Sequence, residues 1–145
     1  MQAIHYTELT PDAVTASTIS SLNRLLPQLS PDIKPLNREW LEYILANNTR
    51  IFIALDGDRI VGTALLCSMV ILVGQKDWIE DVVVDRAYRG KGIASRLMDI
   101  AESASRQSPA KNINLTSSSH REGARGMYVK RGYKLRDTSV FRLER

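Results

Sequence analysis

Apolar residues recur at helical spacing in two stretches of the first third of the chain. The first stretch contains Leu22, Leu25, Leu26 and Leu29, and the second contains Trp40, Leu41, Ile44 and Leu45. Thr10-Pro11 is typical of a helix N-cap followed by proline, and Pro27 predicts that this first helix ends or bends. Asn37 is the expected cap of the second helix. An extended stretch from Gln2 to Leu9 predicts a strand before both helices.

The middle of the chain is rich in β-branched and aromatic residues, which favour strands. Residues 51–55 and a long run from residue 59 toward residue 73 flank Asp56-Gly57-Asp58, a typical hairpin turn. We expect a second turn over residues 74–77 and a further strand over residues 78–84. These strands together predict an antiparallel meander.

The last third predicts a helix, a strand, a second helix and two short strands. The first helix has an apolar face formed by Ile93, Leu97, Met98, Ala101 and Ala104. A strand over residues 112–116 would run parallel to the preceding one if this helix is the crossover. A capping box at Ser119 to Glu122 opens the next helix, which Gly132 closes, and strands over residues 133–135 and 139–143 follow. The order predicts an α/β sandwich with helices on both faces of a mixed sheet.

Composition narrows the class of protein. With 145 residues the chain fits a single domain, 1–145, and Cys67 as the one cysteine excludes an internal disulfide. No Cys/His cluster indicates a metal, no secretory signal is visible, and the longest apolar run is too short to span a bilayer. We therefore expect a cytoplasmic protein with no metal and no membrane partner.

The formal net charge of +4 favours an anionic partner, which could be a phosphorylated cofactor or a nucleic acid. Nucleic-acid binding is the weaker hypothesis, because the sequence lacks a basic strand interleaved with aromatics and any helix-turn-helix or zinc motif. We expect no nucleic-acid partner.

The most informative segment runs from the Val82-Val83-Val84 strand through Gly90 and Gly92 into a helix. A helix start presents unpaired N–H groups and a positive dipole end, and glycine lets a phosphate approach the backbone closely. The segment is not a Walker motif, and it lacks the third glycine of the dinucleotide fingerprint. Its chemistry suits a pyrophosphate.

Arg89-x-x-Gly92-x-Ala94 resembles the coenzyme A-binding signature of the GNAT N-acetyltransferase superfamily. Downstream, the run from Ala124 through Tyr128 to Gly132-Tyr133 is similar to a second conserved helix of that superfamily. The resemblance implies the GNAT acyl-CoA N-acyltransferase fold, with a mostly antiparallel sheet, and acetyl-CoA as co-substrate. The cofactor-binding residues it implies are Val82, Val83, Val84, Arg89, Gly90, Lys91, Gly92, Ile93, Ala94 and Ser95. Many members carry Asn where this chain has Arg121, so no contact of that side chain is carried over.

The same resemblance assigns catalytic roles. In the superfamily a splayed strand pair exposes backbone groups to the pantetheine arm, and the acyl group passes directly from thioester to amine. Glu80 is the expected base, because Ile79-Glu80-Asp81 resembles the corresponding segment of glucosamine-phosphate N-acetyltransferases. Strand alternation would send Glu80 and Asp81 to opposite faces. Tyr128 would protonate the leaving thiolate, and a backbone N–H near Val82 or Val83 would meet the oxyanion.

Simpler interpretations and other functions stay open. The two carboxylates could be ordinary surface groups, and Tyr128 could be a core aromatic. The leading function is acetylation of a small primary amine of the amino sugar, polyamine or amino acid type. A protein lysine or N-terminal acetyltransferase is the alternative enzyme, and a non-catalytic coenzyme A sensor is an alternative of another class. A homodimer formed by the late strands, including Val140-Phe141, is compatible with the sequence.

Overall fold

The computed structural model describes residues 3–145 and contains one five-stranded sheet with the order β1-β2-β3-β4-β5. The strands are β1 (His5–Leu9), β2 (Thr49–Asp56), β3 (Arg59–Ile71), β4 (Gly74–Val84) and β5 (Ile113–Leu115). The α-helices are α1 (Ala16–Leu25), α2 (Arg38–Ala46), α3 (Ile93–Arg106) and α4 (Glu122–Lys130). The first three strand pairs are antiparallel and β4 pairs with β5 in parallel, as predicted. The predicted strand position Gln2 lies outside the described residues.

Each face of the sheet carries its own apolar core. On one face α3 contributes Leu97, Met98 and Ala101 to a cluster with Phe52, Leu66 and Ile79. On the other face α1 and α2 contribute Leu22, Leu25 and Leu41 to a cluster with Ile51, Ile53 and Val83. Successive residues of β2 enter opposite clusters because strand side chains alternate between faces. The predicted placement of helices on both faces is confirmed.

The two N-terminal helices begin and end largely for the expected reasons. Asn37 caps α2, because its Oδ1 accepts a hydrogen bond from the Trp40 N–H at 2.8 Å. Proline 27 lies in the 3-10 turn Leu26–Gln28, which directly follows the end of α1. Thr10-Pro11 opens only a single 3-10 turn, and Thr15 caps α1 by accepting from the Thr18 N–H at 3.2 Å. The helix therefore starts later than Thr10 predicts.

Helix α3 packs closely on the sheet because β3 carries a glycine beneath it. A Cβ at Gly62 would lie 3.1 Å from Leu97 Cδ1 and 3.2 Å from Ile93 Cγ2. Both distances are shorter than an ordinary van der Waals contact, so a larger residue would push the helix outward. The absence of a side chain at this position fixes the height of the first turn of α3 above the sheet.

Three predictions about turns and ends are wrong. Residues 74–77 belong to β4 rather than to a turn, because β3 already ends at Ile71. Ser119 does not form a capping box, since α4 begins at Glu122 and its N-cap residue, Arg121, makes no side-chain cap hydrogen bond. Residues 133–135 and 139–143 form no strand, and no described strand pairs with them. A β-favouring pattern makes a strand only where another strand offers its edge.

Residues 74–77 are polar for a reason other than a turn, because this segment contains a buried carboxylate. Asp77 is fully buried on β4, opposite Ile113 of β5. Its two oxygens accept four hydrogen bonds, from the side chains of Ser68, Gln75, Ser105 and Ser108. Ser105 lies in α3 and Ser108 lies just beyond its C-terminal end, so Asp77 joins that helix to β4. Burial alone would raise the pKa of Asp77, but the hydrogen bonds outweigh it and lower that pKa.

We predict that Asp77→Asn lowers the free energy of unfolding by about 3 kcal/mol, because an amide cannot accept from four buried donors. Urea denaturation measures the change, and Asp137→Asn, at an exposed position, is the control. Since the folded-state pKa is depressed, the contribution of Asp77 is present above the pKa of an unfolded aspartate, about 3.9, and disappears as the pH falls through the folded value. Equal stability of the two variants at neutral pH would contradict this role.

Candidate active site

A gap opens in the sheet where β4 continues beyond β5. The two strands pair only at Asp77 with Ile113, Trp78 with Asn114 and Ile79 with Leu115. Strand β4 then runs on to Val84 while β5 has ended. Backbone groups of β4 that would face a longer β5 therefore have no strand partner on that side over residues 80–83.

A β-bulge in β4 lies at the start of this gap. Leu65 of β3 is opposite Glu80 and Thr63 is opposite Val83, so Asp81 and Val82 share the space of one residue. Asp81 has a φ of 48°, and its carbonyl accepts a hydrogen bond from the Thr63 hydroxyl at 2.8 Å. The extra residue changes the alternation of side chains, because Ile79 and Val82 both pack against the core beneath α3.

Glu80 and Asp81 lie at the point where the bulge begins. Both side chains are exposed, and neither forms an ion pair with any residue in 3–145. Partial desolvation raises the pKa of Glu80, and the charge of Asp81 raises it further. Desolvation also raises the pKa of Asp81. The two carboxylates thus interact, and each holds a proton more readily than a free carboxylate does.

The connection from β4 to α3 is braced by side chains on both sides. Asp85 is buried and accepts hydrogen bonds from the Ala87 N–H at 2.9 Å and from Arg59 at 2.7 Å. Arg89 donates its Nε–H to the Val84 carbonyl at 3.0 Å. The arginine of the predicted signature therefore holds the turn against the end of β4.

The turn itself leaves space at the helix start. Gly90 and Gly92 have φ values of 77° and 78°, and a Cβ at either position would meet nothing within 4 Å. The first backbone hydrogen bond of α3 joins the Arg96 N–H to the Gly92 carbonyl, so the N–H groups of residues 93–95 have no intrahelical acceptor. Lys91 lies beside this turn, with Nζ 5.4 Å from the centre of the Tyr88 ring. An anionic group fits this arrangement of amides and positive charge.

The structure brings the predicted cofactor residues into one region. Val82, Val83 and Val84 line the gap, and the segment from Arg89 to Ser95 forms the turn at its end. Beside that turn, an open groove of about 650 Å³ lies between the first turn of α3 and α4. It is lined by Ser95, Glu122, Gly123, Gly126, Met127, Lys130 and Arg131.

Tyr128 lies at the core side of α4. Only 9% of the residue is exposed, and its ring meets Tyr133 edge-on with centroids 5.9 Å apart. Its hydroxyl has no hydrogen-bond partner within residues 3–145, yet it is not among the fully enclosed unpaired atoms, so it reaches open space. Burial raises the pKa of Tyr128, and the positive charge of Arg121 opposes that effect. The phenol is therefore protonated at neutral pH.

Sequence reasoning missed a network that joins α4 to α3. Arg131, 14% exposed, donates to the Ser95 hydroxyl at 2.9 Å, to Asp99 at 2.6 Å and to Glu102 at 2.7 Å. Tyr133 also donates to Glu102, at 2.9 Å. The spacing of these three acceptors places them on one face of a helix, which is the pattern that could have revealed the network.

Two further residues of this region, Cys67 and Trp78, are given no catalytic role. Cys67 is half-buried, and burial raises its pKa, so it is unsuited to act as a nucleophile. Trp78 has an enclosed Nε1–H that donates to no acceptor in the part of the chain that the structure describes.

Within residues 3–145, no group of three His, Cys, Asp or Glu side chains is placed to hold a metal ion. No helix of that part has the length and apolarity needed to cross a membrane.

A gapped parallel strand pair that leads into a glycine turn at a helix start is the arrangement that the resemblance to the GNAT superfamily implies. Residues 17–133 match the model of the Acetyltransferase (GNAT) family. This match covers most of the chain, and the chain belongs to that family.

Solved structures agree with this fold. An acetyltransferase from Trypanosoma brucei is 25% identical, with a TM-score of 0.82 over 98% of this chain and 99% of that one. Glucosamine-6-phosphate N-acetyltransferase from Arabidopsis thaliana is 18% identical, with a TM-score of 0.80 over 98% of this chain and 99% of that one. A predicted acetyltransferase from Clostridium acetobutylicum, solved with acetyl-CoA, is 19% identical, with a TM-score of 0.76 over 97% of this chain and 96% of that one. The last two establish the fold alone. The chain matches no curated protein sequence.

Proposed function

We propose that the protein transfers an acetyl group from acetyl-CoA directly to a primary amine of a small molecule. The observation that carries this proposal is that the unpaired end of β4, beside Glu80, leads along the chain into the open Gly90–Gly92 turn at the start of α3. A long acyl carrier with a diphosphate at one end and a thioester at the other needs both features at once.

On the donor side, the diphosphate binds the N–H groups at the start of α3, and Lys91 adds positive charge. The pantetheine amides pair with the backbone of Val82 and Val83, in the way that a missing strand would, while the Val84 carbonyl stays bound to Arg89. The solved Clostridium acetobutylicum relative, whose structure contains acetyl-CoA, supports the choice of carrier.

On the acceptor side, Glu80 takes a proton from the substrate ammonium. The freed lone pair attacks the thioester carbonyl carbon, and the carbonyl oxygen becomes an oxyanion that a backbone N–H such as that of Val82 can meet. Val82 is suited to this because the bulge leaves it without a partner residue on β3. The raised pKa of Glu80 makes it a stronger base than a free glutamate.

Collapse of the intermediate breaks the carbon–sulfur bond and forms the amide. The thiolate leaves with the electron pair and receives the proton of the Tyr128 hydroxyl, and the resulting phenolate takes the second proton from the nitrogen, which leaves a neutral amide. That hydroxyl suits the task because it is protonated at neutral pH and carries no competing hydrogen bond within residues 3–145.

The acceptor lies on the side of the sheet covered by α1 and α2. Glu80 is opposite Leu65, and Leu65 packs against the core beneath those helices. Two unpaired carboxylates near the gap favour a cationic amine. The Arabidopsis thaliana structure is named for a small amino sugar phosphate, an acceptor of the kind proposed.

Replacement of Gly92 tests donor binding. We predict that Gly92→Ala weakens acetyl-CoA binding at least tenfold by calorimetry, because the added Cβ occupies the space beside the helix amides. The positive φ also costs about 1–2 kcal/mol of stability. Gly74→Ala is the matched control, since Gly74 also has a positive φ and open surroundings but lies at the β3–β4 hairpin. Equal affinity of the two variants would refute the diphosphate site.

Replacement of the two carboxylates tests the base. We predict that Glu80→Gln lowers kcat/KM about 100-fold near neutral pH. The deficit shrinks at alkaline pH, where the amine loses its proton unaided. Asp81→Asn removes a charge that raises the pKa of Glu80, so the acidic limb of the pH–rate profile moves to lower pH while the plateau stays. If Asp81→Asn abolished turnover and Glu80→Gln did not, the roles would be reversed. Acetyl-CoA binding without thiol release over a broad amine panel would favour a sensor.

Replacement of two tyrosines tests the acid. We predict that Tyr128→Phe lowers kcat about tenfold or more without changing thermal stability or acetyl-CoA affinity, because the hydroxyl holds no structural hydrogen bond. Tyr133→Phe is the comparison, since it removes a hydrogen bond to Glu102 and should lower stability by about 1 kcal/mol. Normal turnover of Tyr128→Phe would leave that residue as a core aromatic only.

A further inference from the structure

Tyr128, the acid of the proposed acetyl transfer, has a hydroxyl that no hydrogen bond within residues 3–145 holds in place. That hydroxyl has to stay free, because a proton already shared with a structural acceptor is harder to give to a leaving group. Its position therefore depends on the groups that hold the ring and the backbone of Tyr128. Those groups lie at the C-terminal end of α4.

Helix α4 ends in a Schellman motif that begins at Tyr128. Gly132 has a φ of 96°, and its N–H donates to the Val129 carbonyl at 3.0 Å. The Tyr133 N–H donates to the Tyr128 carbonyl, also at 3.0 Å. This motif typically brings the side chains of its first and last residues into contact. Here they are two tyrosines, whose rings meet edge-on with centroids 5.9 Å apart.

The second of these rings is tethered to α3 through Glu102. The Tyr133 hydroxyl donates to Oε2 of Glu102 at 2.9 Å. Arg131 donates to both oxygens of the same carboxylate, at 2.7 and 3.0 Å. The Arg131 and Glu102 side chains are 14% and 12% exposed, and a two-point contact between charged groups fixes their relative orientation. The residues on either side of Gly132 thus converge on one carboxylate of α3.

The same guanidinium also reaches the start of α3. Arg131 donates to the hydroxyl and to the carbonyl of Ser95, at 2.9 and 3.2 Å. The N–H of Ser95 is one of the three amides at this helix start that have no intrahelical acceptor. The end of α4 is therefore attached to the turn of α3 that receives the diphosphate in the proposed function.

We propose that Tyr133, tethered to Glu102, is a positioning residue that keeps the Tyr128 hydroxyl within reach of the leaving sulfur. This inference rests on the proposed function, because it requires Tyr128 to be the acid. A displacement of about 1 Å can lower a rate strongly, since proton transfer needs a close donor and acceptor. Tyr133 acts through the ring of Tyr128 and transfers no proton itself. Burial and the hydrogen bond to Glu102 raise the pKa of Tyr133, so its hydroxyl keeps its proton.

A double-mutant cycle between the two tyrosines tests this inference. We predict that Tyr133→Phe lowers kcat about fivefold without changing acetyl-CoA affinity, because the ring stays while its tether is lost. In a Tyr128→Phe background the same substitution should change kcat by less than about twofold, since no hydroxyl is left to position. Thiol release from acetyl-CoA, with the fastest acceptor of a panel of amino sugars, polyamines and amino acids, measures kcat. Calorimetry measures acetyl-CoA affinity.

Two further variants separate the tether from the rest of the Arg131 network. Glu102→Ala removes the acceptor of the tether, so it should lower kcat at least as much as Tyr133→Phe, and again only while Tyr128 is present. Asp99→Asn is the matched control. It removes another acceptor of Arg131, on a side chain that is 52% exposed, and leaves the bond between Tyr133 and Glu102 intact. Its kcat should match that of the natural chain.

The possible outcomes separate the positioning role from the proposed function. An equal loss of kcat from Tyr133→Phe in both backgrounds, or an unchanged kcat, would overturn the positioning role and leave Tyr133 as a structural brace. A loss of acetyl-CoA affinity that accounts for the slower turnover would overturn it as well. Normal turnover of Tyr128→Phe alone would instead remove the acid from the proposed function, and the positioning role with it.

Discussion

The constraint on which the rest of the site depends is that β4 must stay paired with β3 while it leaves β5. A buried strand that pairs with a neighbour on one side only would be unstable. The N–H and C=O groups on its other side would be buried without a hydrogen-bond partner. The chain meets this constraint by ending β5 after three residues and by inserting Asp81 into β4 as a bulge. The bulge changes the alternation of side chains in β4 at the position where the gap begins.

Buried polar contacts fix the borders of this gap. Asp77 lies at the first of the three paired positions of β4 and β5, and it holds the C-terminal end of α3 through Ser105 and Ser108. Asp85 and Arg89 hold the other end, where β4 turns into α3. Both ends of the crossover helix are therefore tied to the strand whose backbone is exposed. The free amides at the helix start keep their direction without a ligand, which lowers the entropy cost of binding one.

The sequence predicted the parts of this design that depend on local patterns. Helix periodicity, the Asn37 cap, the Asp56-Gly57-Asp58 hairpin and the glycine turn each follow from a few neighbouring residues, and the structure confirms these elements. The bulge could not be predicted, because Asp81 is an ordinary strand residue until its partner strand sets the register. Asp77 was misjudged for a similar reason. Its polarity indicated a turn, while its four donors come from positions distributed between β3 and the end of α3.

The late strands failed as a prediction for a different physical reason. Residues 139–143 have the composition of a strand, but a strand is a property of two segments and the described chain provides only one. Glu80 and Asp81 lie at the start of the gap and are both exposed. Roles for Glu80 and Tyr128 remain proposals that rest on geometry and on the resemblance to the family.

Arg131 gives the molecule an uneven stiffness. By binding Ser95, Asp99 and Glu102 it makes α3 and α4 a single braced unit on the carrier side. Across the sheet, the connection between α1 and α2 is held more lightly, chiefly by Asn23 at the Leu36 backbone and by Gln28 at the Arg86 N–H. Substitutions in the connection between α1 and α2 touch none of the contacts of Arg131, so that side of the sheet can change shape while the α3–α4 unit keeps its own.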